Sequence, residues 1–86
     1  MRLRVTSGAY AQIARDIVMA RAIAPYIENG VVLLAGNGHV RKDIGVPIWL
    51  TPGQRAHTTS IGLIERDGAP SIEMLEEQFD AAVLTD

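Results

Sequence analysis

Eighty-six residues allow one small domain, which buries only about 60% of its unfolded surface and has a thin stability margin without partners. There are no cysteines, so disulfides and thiolate-held zinc or iron–sulfur centres are excluded. A net charge of −2 argues against nucleic acid as a partner, and no apolar run approaches the ~20 residues of a membrane span.

The charge is unevenly spread. Residues 1–43 carry a net +3 and residues 44–86 a net −5. That asymmetry suits two halves that face each other, two copies paired head to tail, or two unrelated solvated faces. Met1-Arg2-Leu3-Arg4 is basic, but no apolar signal-peptide core follows it.

Ser7 or Thr6 can cap a first helix running to about Glu28. Tyr10, Ile13, Ala14, Ile17, Ala20, Ala24 and Ile27 recur at helical spacing and predict its buried stripe. Pro25 removes one backbone donor, so it should kink the helix or split off its last turn. Asn29-Gly30 supplies the stop. A second stripe, Gln12, Arg15, Asp16 and Met19, shares the opposite face. A polar face of this kind is commonly solvated. Its apolar continuation through Met19 and Ala20 suits a pocket wall or an interface.

Val31 to Ala35 is short, apolar and rich in β-branched residues, which predicts a buried strand. It ends in Gly36-Asn37-Gly38-His39. A strand that stops in a glycine turn delivers a side chain at a sheet rim. There an imidazole can bind a metal, haem iron or a proton. The bland alternative is a loop histidine after a core strand. No helix with Lys and Ser/Thr follows these glycines at once, so a phosphate loop is a poor reading.

Residues 36–53 read mostly as loop, with a helical turn around Pro47 to Leu50 that Thr51-Pro52-Gly53 ends. Gly53-Gln54-Arg55 reads as open loop, leaving His57 a surface residue. Thr58 to Ile64 predicts a second strand. Asp67-Gly68-Ala69-Pro70 is a turn, and Ser71 caps a short helix with Glu73 and Glu76 near its positive end. Phe79 to Leu84 is a third strand or an extended tail. The order α-β-(turn)-β-α-β implies an α/β layer arrangement with a mainly parallel sheet. No Ser/His/Asp or Cys/His set stands out.

Three segments together resemble a known family. They are Tyr10-Ala11-Gln12-x-x-Arg15-Asp16-x-x-Met19-Ala20, then Val31 to His39, then Gly45-Val46-Pro47-x-x-Leu50. These are similar to the C-terminal half of the ChaN-like haem-binding uptake family, which is related to the Tiki proteases and the erythromycin esterases. Phe79-Asp80-Ala81-Ala82-Val83 resembles its final strand.

The resemblance implies a partial α/β domain over residues 1–86 in which Gly-x-x-His turns line a pocket. Haem or iron is then the ligand. His39 is the metal-binding residue, and Gln12, Arg15, Gly36 and Asn37 border the cofactor. Arg15 is suited to a propionate.

Family members carry another Gly-x-x-His turn and an acidic partner in an N-terminal half. The resemblance therefore implies that this half is missing or that a second copy supplies it in a homo-oligomer. It also implies a bacterial protein of the cell envelope. Two alternatives stand beside haem binding: a remnant or subunit of a Tiki-like hydrolase dependent on a divalent metal ion, and an oligomerising fragment without ligand.

Overall fold

The computed structural model describes residues 7–86. Thr6, the alternative cap, lies outside them. Helix α1 spans Ser7–Ile23, and a 3₁₀ helix, Ala24–Asn29, continues it. The change of helix type falls at Ala24-Pro25, where proline cannot donate to an α-helical ladder, as expected. Gly30 ends the run at φ 93°, a conformation that glycine adopts without steric cost.

Two short helices follow, α2 (Asn37–Val40) and α3 (Pro52–Ala56), with a 3₁₀ turn, Val46–Trp49, between them. Strand β1 (Ile61–Glu65), helix α4 (Ile72–Gln78) and strand β2 (Ala81–Thr85) complete the chain. The two strands are parallel, with Ile61 opposite Ala81 and Glu65 opposite Thr85. Helix α4 is their crossover, as a parallel pair requires. Ser71 caps α4 by accepting from the Met74 N–H, as the sequence predicts.

This is a small α/β domain with a parallel sheet, but it departs from the expected elements in several places. Val31–Ala35 keeps a strand's alternation of burial without a strand's hydrogen bonds. Among the described residues it has no ladder partner, so the sheet has two strands and not three. The near edge of β1 is taken at Leu63 by the Asn37 side chain, and a cleft of about 490 Å³ opens between residues 31–34 and residues 57–63.

The second strand starts at Ile61 and not at Thr58. The Thr58 N–H and hydroxyl donate to the carbonyls of Arg55 and Gln54, so Thr58 finishes α3. The expected loop at Gly53-Gln54-Arg55 is helical because Thr51 and Gln54 form a reciprocal capping box. The last strand starts at Ala81, since the Phe79 N–H still bonds to Leu75 and closes α4. The Phe79 ring is instead buried over Gly62, where a Cβ would come within 2.8 Å of it.

A further departure is the orientation of α1. Tyr10 and Ala14, on the expected core stripe, are exposed, and Ile13 and Ile17 are half-buried. The innermost positions are Asp16 and Ala20, flanked by Gln12, Met19 and Ile23. This face packs on the Val46–Trp49 turn. Ala20, Val46 and Leu50 form the core, with Met19, Ile23, Ile27 and Leu33 against it. A stripe containing a carboxylate can face inward only if the carboxylate finds a donor there. That donor belongs to the site.

Candidate functional site

The site lies where the N-terminal half of α1 meets α2. Asp16 is 0% exposed. Its Oδ1 lies 2.6 Å from Nδ1 of His39, a short hydrogen bond between side chains 23 positions apart in sequence. Among the described residues, Oδ2 of Asp16 is buried and has no partner. The His39 side chain is 22% exposed, so the ring is anchored at one nitrogen and still reaches the surface.

Several local features hold His39 in place. The Gly36-Asn37-Gly38-His39 segment forms one helical turn, not an irregular glycine loop, with the His39 N–H donating to Gly36 at 2.9 Å. The helix is only four residues long, and Gly38 inside it costs about 1 kcal/mol relative to alanine, so outside contacts must hold this turn.

Asn37 supplies one such contact. Its Nδ2 donates to the Leu63 carbonyl at 2.7 Å, and its Oδ1 accepts from the Leu63 N–H at 3.3 Å. The side chain thus pairs with β1 as a strand backbone would. Gly38 supplies close approach: the Gln12 amide lies 3.0 Å from where a Cβ would sit. Gly45 supplies another, because a Cβ there would run into the backbone carbonyls of His39 and Arg41. The Gly45 N–H donates to Arg41 at 2.8 Å, which folds residues 41–45 back under His39.

Of the flanking charges, Arg41 and Asp43 are tied to each other and Lys42 lies 3.7 Å from Asp80. Arg41 clasps Asp43 through two hydrogen bonds of 2.9 and 2.6 Å. These bonds hold the Asp43 carboxyl below its ordinary value and raise the Arg41 guanidinium. The Lys42 N–H donates to Gln78 at 2.7 Å, joining the turn to the end of α4.

Of the residues expected at a site, Gly36 lies by the His39 ring, Gln12 lies over the neighbouring Gly38, and Asn37 is bonded to β1. Arg15 is exposed on α1, so the Gln12–Arg15–Asp16–Met19 stripe divides: Asp16 faces in and Arg15 faces out. His57 is exposed at the end of α3, as expected, and borders the apolar cleft. Asp16 is the residue that sequence reasoning did not select. The available signal was its place between Gln12 and Ala20 on one helix face. Burial was not apparent, because an aspartate on a stripe with Gln and Arg reads as solvated.

No curated protein and no solved structure matches the chain. One family model does, over residues 4–50, and it carries the description haem-binding uptake, Tiki superfamily, ChaN. The match contains Gln12, Asp16, His39 and Gly45, while Leu63 and Gln78, which bond to the turn, lie outside it. Covering more than half of the sequence, it places this chain in the ChaN-like haem-binding uptake family of the Tiki superfamily.

Proposed function

We propose that the chain is a haem- or iron-binding module in which His39 is the protein ligand. The observation that carries this reading is the anchoring of His39: one ring nitrogen bonded to a fully buried carboxylate, the rest of the ring reaching the surface. Ligand histidines are commonly oriented in this way by a carboxylate at the second nitrogen.

The donor set also favours haem. One face of a haem needs a single side chain, whereas a zinc site takes about three protein ligands. Among the described residues no group of three or more His, Cys, Asp and Glu is placed to hold a metal ion. When bound, haem supplies an iron centre and two propionates. Gln12 and Gly36 would border the ring of His39, Arg15 is exposed and free to meet a propionate, and Asn37 would hold the turn rigid against β1.

The same reading takes the chain as the C-terminal half of a larger family domain. In support, Val32 and Leu34 are 84% and 90% exposed, and Ile61, Leu63 and Val83 are exposed on one face of the sheet. A missing N-terminal half or a second copy would cover such a surface. Molar mass in solution tests this; a monomer at all concentrations counts against a second copy.

Haemin titration tests the ligand. The expected result is a Soret shift that saturates at one haemin per site and is lost in His39→Ala. A wild-type chain with no shift, or an unchanged shift in His39→Ala, removes His39 as the ligand.

A further inference from the structure

We infer that Asp16 is a positioning residue. It holds His39 as the Nδ1–H tautomer and thereby makes Nε2 the atom that faces a ligand. The tautomer assignment stands on the apoprotein's own geometry. Its consequence for haem rests on the function proposed above.

The argument begins with the buried carboxylate. An isolated carboxylate is costly to bury and must be compensated by donors. Asp16 is fully buried, and among the described residues its Oδ2 has no partner. His39 at 2.6 Å is therefore the compensating donor in the site.

A carboxylate oxygen accepts, so the bond exists only if Nδ1 carries the proton. The other neutral tautomer would set a lone pair of Nδ1 against a buried carboxylate oxygen, with no donor between them. That arrangement combines charge repulsion with an unsatisfied buried group. The proton is held at Nδ1, and the lone pair is left on Nε2.

Two features accompany the bond. The Gln12 amide of α1 lies close over Gly38 of α2, 3.0 Å from where a Cβ would sit. The backbone of His39 is gripped from the other side by Gly45. Ring and backbone are thus both fixed before any ligand arrives. A strong acceptor at Nδ1–H also makes the imidazole more electron-rich and a better donor at Nε2.

Nitrogen-15 NMR of the full apoprotein tests the tautomer directly, with exposed His57 as the internal reference. At a pH where the imidazoles are neutral, His39 should show a protonated Nδ1 and an unprotonated Nε2. In Asp16→Asn, an amide of nearly the same shape, that preference should vanish or reverse.

Haemin affinity of Asp16→Asn should fall about 10–100-fold with the fold retained by circular dichroism. Its ferric spectrum should shift toward that of a weaker nitrogen donor. A wild-type His39 protonated at Nε2 overturns the inference, as does Asp16→Asn with both tautomer and haemin affinity unchanged. If Asp16→Asn does not fold, the wild-type tautomer still decides. A wild-type chain with the expected tautomer but no haemin binding would leave the positioning role standing and remove the function it serves.

Discussion

Residues 31–35 and 36–45 are adjacent in sequence and unlike in structure. The first stretch is apolar and stays largely outside: Val32 and Leu34 face away from the core, and only Leu33 packs against it. The second contains His39, Arg41, Lys42 and Asp43 and is the better-held part. His39 is bonded to α1, Asn37 to β1, and Lys42 to the end of α4. Hydrophobicity decides whether a segment gains by burial, but it does not say against what. Directional bonds and close glycine approaches name their partners, which is why the polar stretch has a defined place and the apolar one is left at an open edge.

The contrast can be broken at Gly45. Any Cβ there meets the His39 carbonyl, and backbone cannot yield as a side-chain tip can. Gly45→Ala is expected to cost about 3 kcal/mol, at the upper end for overpacking, and to lose haemin binding with it. Urea denaturation measures this, and a variant of wild-type stability would show that the turn is not gripped as described.

Gly62→Ala tests whether the sheet is held with comparable strictness. Its Cβ would press on a buried phenyl ring, which can shift, so a smaller loss of about 1–2 kcal/mol is expected, without effect on His39. Asn37→Ala removes both bonds to Leu63. Because the pair is exposed, about 1 kcal/mol is expected, with faster amide exchange confined to residues 37–40.

Leu34→Glu addresses the apolar stretch itself. At 90% exposure the leucine contributes little within the chain, so stability should stay within about 0.5 kcal/mol while any concentration-dependent association weakens. A large loss of stability would mean that this edge is covered by another copy.

The smallest effect belongs to the Arg41–Asp43 pair. Its bonds hold the Asp43 carboxyl below its ordinary value. The associated stability is therefore present above that ordinary value and is lost as pH falls through the lowered one. Both side chains are about one-third exposed, so Asp43→Asn should cost no more than about 0.5 kcal/mol at neutral pH and flatten that acid limb of the stability profile.

Much of the local structure was legible from residues alone. Pro25 divides the first helix, Gly30 ends it, Ser71 caps α4, and residues 46–49 make a helical turn because Pro47 suits its first positions. The α3 helix and the two strand limits turned on short-range bonds of Thr51, Gln54, Thr58 and Phe79, whereas two larger departures depended on partners distant in sequence. The strand expected at Val31–Ala35 needed a neighbouring edge that Asn37 partly occupies. Tyr10 and Ala14 carry the apolar spacing of a buried stripe, yet they are exposed because α1 turns Asp16 inward to His39.

Sequence by itself determined the α/β class and the helix limits set by proline and glycine. Those follow from backbone sterics and periodicity, which are local. Which face of α1 turns inward was settled only by tertiary structure. Asp16 can be buried because His39, 23 positions away, supplies the donor, and no local pattern in either segment records that bond.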